Sequence, residues 1–150
     1  MIETARKYEV DPENEKSKNQ PLAILYLYKI LYELTDEYNG LTSNQIIELL
    51  KNDGIILRRQ AVTRYINLLK DVLGADILLP GNGSRDGYRM CGREFSLVDV
   101  KMLADAVVSA RFITEETASE LLDKLGNLVS KRQKAELRRN VYVAGRVKAQ

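Results

Sequence analysis

The sequence predicts a mainly α-helical chain with one small β-hairpin, and three observations support that fold class. Apolar residues recur at helical spacing in five stretches between Pro21 and Val129, separated by short breaks. Between Ala75 and Cys91 the period changes to the pattern of short strands around a glycine-rich tip. The composition, 45% hydrophobic and 29% charged with only 3 prolines and 9 glycines, suits a folded chain with few long loops.

Residues 1–20 are polar and of mixed charge and read as a tail. The first helix opens at Pro21, which suits a first turn because its missing N–H has no helical partner there. Leu27, Ile30, Leu31 and Leu34 form its stripe, Tyr28 and Tyr32 widen it, and Asn39-Gly40 breaks it. Thr42 followed by Gln45 predicts a capping box opening a second, short helix with Ile46, Leu49 and Leu50 inward. Gly54 suits the left-handed position after it.

Ile55–Leu57 lead into the third helix, 58–73, where Val62, Tyr65, Ile66, Leu69, Val72 and Leu73 make one continuous apolar face. Strands are expected at Ile77–Leu79 and Tyr88–Met90. Helix, helix, helix, hairpin is the order of a winged helix-turn-helix, here over residues 21–93.

Two further helices follow over 94–139 and predict a helical hairpin segment. One is capped by Ser96 and carries Leu97, Val100, Leu103, Val107 and Val108. The other is capped by Thr114 and carries Ala118, Leu121, Leu122, Leu125, Leu128 and Val129. The last twenty residues hold seven basic residues, one acid and a strand-like Val141-Tyr142-Val143.

Several function classes are disfavoured. The chain has no histidine and a single cysteine, Cys91, so imidazole acid–base chemistry, the usual His/Cys metal sites and an internal disulfide have no residues to use. Glu115, Glu116, Glu120 and Asp123 crowd a helix start, where they complement the helix dipole, and no nucleophile, base and orienter can be assembled. The loop Gly81–Gly87 runs from strand to strand, whereas a dinucleotide-binding glycine loop runs from strand to helix. Cys91, beside a glycine, reads as a packing residue. Neither a secretion signal nor an apolar run of membrane-spanning length is recognisable, so a cytoplasmic protein with no enzymatic activity, no cofactor and no membrane partner is expected.

One face of helix 58–73 is left without a structural use. Gln60, Thr63, Arg64 and Asn67 form a stripe at i, i+3, i+4 and i+7, with Arg58 and Arg59 at its N-terminal end. Arginine can give a bidentate pair to guanine, and glutamine or asparagine to adenine, in a major groove that admits a helix. Ser43 joins this set from the preceding helix. Arg85 and Arg89, in a wing at 80–88 and its flank, would meet phosphate or the minor groove. Net charge is only +2, but it is clustered: residues 51–71 hold five basic and two acidic residues, and 81–93 hold three and one. The basic C-terminal stretch either touches DNA backbone or is the cationic end of a helix.

The segments LTSNQIIELL, RRQAVTRYINLL and GYRMCGREFSLVDVKMLADAVVSARFITEETASELLDKL together resemble the N-terminal part of bacterial WYL-domain transcriptional regulators, over about Pro21 to Lys148. Gly87-Tyr88 matches the family's wing end, Arg93 with Phe95 the arginine and aromatic after it, and Val62, Arg64 and Ile66 the recognition-helix core. Tyr65 stands where many members have aspartate, which removes a local acid–arginine pair. The resemblance implies a sequence-specific double-stranded DNA-binding module, and because winged helix-turn-helix proteins usually read two half-sites a homodimer is expected. Residues 140–150 would lead into a C-terminal WYL-like domain that alone could take an effector, so the chain is expected to be a truncated or natural short form. Two alternatives stand beside this: a protein-interaction or dimerisation module using the helices after Phe95, and RNA binding, for which no exposed aromatic platform is evident.

Overall fold

The computed structural model describes residues 20–81 and 87–148. Three helices come first: α1 (Gln20–Leu34), α2 (Ser43–Asn52) and α3 (Arg59–Leu73). A two-residue strand pair follows, β1 (Ile77–Leu78) and β2 (Arg89–Met90), and then α4 (Leu97–Ser109), α5 (Glu115–Gly126) and α6 (Lys131–Lys148). The chain is therefore mainly helical with a small antiparallel sheet, and it divides after Gly92 into two compact units.

In the first unit, the apolar stripes of α1, α2 and α3 meet in one core. Leu27, Leu31, Ile46, Leu50, Val62 and Ile66 are fully buried there, and Ile77, Tyr88 and Met90 close it from the hairpin side. The hairpin pairs Ile77 with Met90 and Leu78 with Arg89. It is extended by a bridge in which Leu41 and Tyr88 exchange both backbone hydrogen bonds, at 3.0 and 2.7 Å. The α1–α2 connection thus lies against the second strand.

Gly87 makes this approach possible. Its φ is +67°, and a Cβ on it would overlap the Leu41 carbonyl. Gly74, at φ +65°, ends α3 in the left-handed conformation and turns the chain toward β1.

In the second unit, Val100 and Ala104 of α4 pack with Val129 and with Leu137 of α6, and Leu122 and Leu125 of α5 cover them in part. Capping sets the helix starts. The Ser96 hydroxyl accepts from Asp99 N–H at 3.2 Å while the Asp99 carboxylate accepts from Ser96 N–H at 2.9 Å, and Thr114 accepts from Thr117 N–H at 3.3 Å.

Four expectations are corrected. The strands are shorter than Ile77–Leu79 and Tyr88–Met90: Leu79 lies outside the ladder, and Tyr88 pairs with Leu41 instead. Val72 and Leu73 are exposed (75% and 64%), because the buried face of α3 ends at Leu69, one turn before the helix does. In α4 the buried stripe runs through Val100 and Ala104, leaving Leu103 exposed. That helix is apolar on several sides, so period alone does not choose which side faces inward. The expected hairpin is a three-helix unit. α6 runs unbroken across the boundary placed at residue 140 and takes in Val141-Tyr142-Val143, whose strand propensity yields to the helix already in progress.

Candidate nucleic-acid interface

The site begins at the N-terminus of α2. Thr42 and Gln45 form the reciprocal capping box, with the Thr42 hydroxyl accepting from Gln45 N–H at 3.2 Å and Gln45 Oε1 accepting from Thr42 N–H at 2.9 Å. Ser43 is the first residue of α2 and is half-buried, and Asn44 beside it is exposed. The link to α3 is pinned by Ile55, 4% exposed, whose N–H donates to Leu50 O.

Arg58 stands just outside α3, with extended backbone (φ −90°, ψ 158°), and its carbonyl accepts the first helical bonds from Ala61 and Val62. Arg58, Arg59, Gln60, Thr63, Arg64 and Asn67 are all exposed, while Val62, Tyr65, Ile66 and Leu69 on the other side of the same helix are buried. The six residues are therefore turned to solvent by the packing of the opposite face of the helix.

Three contacts organise that surface. Arg59 Nη2 donates to Asn44 Oδ1 at 2.8 Å, joining α3 to α2. The Thr63 hydroxyl donates back to Arg59 O at 3.2 Å, one turn earlier. The Arg64 guanidinium lies 5.2 Å from the centre of the Tyr65 ring, within cation–π reach. Tyr65 thus gives Arg64 a surface to rest on at a position that holds no acid.

Arg89 is not placed as a wing-tip contact. It is half-buried in β2, and its Nη1 donates to Glu37 O at 3.1 Å, tying the hairpin to the α1–α2 loop. The same loop is held twice more. Fully buried Thr35 accepts from Met90 N–H at 2.9 Å and donates to Leu31 O at 2.6 Å. Fully buried Asp36 accepts from Tyr38 N–H, Asn39 N–H and Asn39 Nδ2 at 2.9–3.0 Å. Arg85 lies outside the described residues.

Sequence reasoning missed Thr35, Asp36 and Asn44. The run Thr35-Asp36-Glu37-Tyr38-Asn39-Gly40 carried a usable signal for Asp36, since aspartate before Asn-Gly favours a side-chain-closed turn. Asn44 carried none, because its partner is fifteen residues away.

The other candidates have structural uses. Burial, then the neighbouring Asp76 carboxylate, pushes the Cys91 thiol up, which keeps it protonated and unreactive near neutral pH. Hydrogen bonding from Lys134, then Arg138, holds the Asp123 carboxyl below its usual range, at 2.9 and 2.5 Å. Lys101 pairs with Glu136 at 3.0 Å. Two of the basic residues of α6 are therefore engaged in joining it to α5. Among the described residues no acidic, cysteine or histidine group could hold a metal ion, and no helix is long and apolar enough to cross a membrane. Compared with protein-family models, curated proteins and solved structures, the chain finds no match.

Proposed function

We propose that residues 21–92 form a winged helix-turn-helix that reads duplex DNA, with α3 in the major groove and the hairpin beside it. The single observation that carries this reading is the exposed row Arg58, Arg59, Gln60, Thr63, Arg64 and Asn67, set on a helix whose opposite face is locked into the core. Its residues are those that pair with base edges and phosphates, and five of them, Arg58, Arg59, Gln60, Thr63 and Arg64, sit at or in the N-terminal half of the helix, where recognition helices present their base contacts. The Leu41–Tyr88 bridge supports it by seating a hairpin against the helical layer.

The family reading extends from this. We take the chain as related to WYL-domain transcriptional regulators, without enzymatic activity, cytoplasmic and bacterial, and binding its operator as a homodimer on two half-sites. A WYL-like domain, where present, would carry any effector.

The test is fluorescence anisotropy with a random-sequence duplex at about 50 and about 200 mM salt, where affinity should fall about tenfold or more as counterions re-bind the phosphates. Arg59→Ala with Arg64→Ala should weaken binding and flatten that salt dependence. No binding at the lower salt, or a double variant that binds as well as wild type, removes the proposal.

A second reading is favoured by one observation. Val98, Met102 and Phe112 of the second unit are 65%, 67% and 90% exposed, as a protein-docking surface would be. Such an interface is apolar, so its affinity would hardly respond to salt.

A further inference from the structure

We propose that Asn44 is a positioning residue that orients Arg59 toward one guanine, so that α2 helps to set the DNA sequence read by α3; this rests on the DNA-reading function proposed above. Arg59 is the first residue of α3 and Asn44 the second of α2, and the Nη2–Oδ1 bond of 2.8 Å is a side-chain link between the two helices. The distance between their backbones is not adjustable. Ile46 and Leu50 of α2 and Val62 and Ile66 of α3 are fully buried in one core, which fixes the two helices against each other.

The chemistry assigns the direction of the bond. Guanidinium only donates, so the Asn44 amide must present its oxygen. One of the five N–H donors of Arg59 is then used, and the remaining donors suffice for the bidentate pair to guanine N7 and O6. Both side chains are exposed, so the bond adds little to the stability of the fold. Its effect is on Arg59 itself. A long side chain that is already held in one orientation loses less freedom on binding than one sampling many rotamers. Arg64 has its own support in the Tyr65 ring, which makes the Asn44 effect specific to Arg59.

The experiment is enrichment of bound sequences from a random duplex pool by the whole chain, for wild type, Asn44→Ala, Asn44→Asp and Arg59→Ala. The expected result is a wild-type motif with a guanine whose preference disappears in Arg59→Ala. Asn44→Ala should weaken preference for that same guanine by about threefold or more, the order of one typical net hydrogen bond, while other positions hold. Asn44→Asp should retain the guanine, because its carboxylate accepts from the same Nη2, with lower overall affinity from repulsion of phosphate. Asn44→Ala and Arg59→Ala should melt at the wild-type temperature, and the salt slope of Asn44→Ala should match wild type, which separates orientation from charge.

The positioning role is overturned if Asn44→Ala keeps the full guanine preference. It is also overturned if all motif positions weaken together, or if the wild-type motif survives Arg59→Ala. A wild-type chain that binds no duplex at low salt gives a different result, one that removes the DNA-reading function and the positioning role with it.

Discussion

Arginine 89 shows how a charge in the right stretch of sequence can serve the fold rather than the ligand. Its Nη1 holds the Glu37 carbonyl in a part-buried bond, so Arg89→Ala should cost about 1–3 kcal/mol, the range for losing a hydrogen bond from a charged group. Thermal melting should show the loss, while the salt slope for DNA stays as in wild type. A changed slope with an unchanged melting temperature would instead make Arg89 a phosphate contact. Gly87 belongs to the same junction. Gly87→Ala meets both a left-handed backbone and the Leu41 carbonyl, and should destabilise by more than the ~1 kcal/mol of the backbone effect alone. Circular dichroism melting of the variant gives the number, and a wild-type melting temperature would mean that the Leu41–Tyr88 bridge is dispensable. At this scale the sequence was only partly readable. Arg59 and Arg64 announced themselves by type and position, but Arg89 has the same type, and only the three-dimensional approach of residues 35–41 to β2 distinguishes it.

At the scale of elements, legibility followed the sharpness of the amphipathic contrast. In α2 and in α3 up to Leu69 the contrast is strong, and Ile46, Leu50, Val62, Tyr65, Ile66 and Leu69 face the core as their spacing requires. In α4 the contrast is weak, since Val98, Met102 and Leu103 are apolar yet exposed, and the inward stripe could not be chosen without knowing where α6 packs. Val141-Tyr142-Val143 failed for a related reason: three residues of β propensity do not outweigh ten preceding helical ones. The capping boxes at Thr42 and Ser96 were readable because their hydrogen bonds are local. Removing one has a local cost that the whole unit feels. Thr42→Ala should destabilise by about 0.5–2 kcal/mol, because the Gln45 N–H loses its acceptor at the start of α2. Chemical denaturation should show a lower midpoint with an unchanged slope, and Thr42→Ser should restore it. If Thr42→Ala denatures like wild type, the capping box contributes nothing to stability.

Among the described side chains, the two units have different cores. The first buries side chains from three helices and the hairpin, whereas the second rests on Val100, Ala104, Val129 and Leu137 together with caps and ion pairs. Two of its carboxyls, Asp99 and Asp123, lie below their ordinary value of 3.8, Asp99 through hydrogen bonds from Ser96 and Asp123 through Lys134 and then Arg138. A carboxyl whose folded pKa is depressed stabilises the fold above its unfolded pKa, and that stabilisation is lost as pH falls through the folded one. The contribution of each is small, because both side chains face water. Acid should therefore loosen the contact between α5 and α6 in the second unit. Methyl resonances of Val100 and Leu137, followed during thermal melting at about pH 6 and about pH 3, should shift to lower midpoints in acid. Asp123→Asn cannot titrate and should lower the midpoint at the higher pH while narrowing the difference between the two. An undiminished difference in the variant would mean that the Asp123 pairs with Lys134 and Arg138 do not link the second unit's stability to pH.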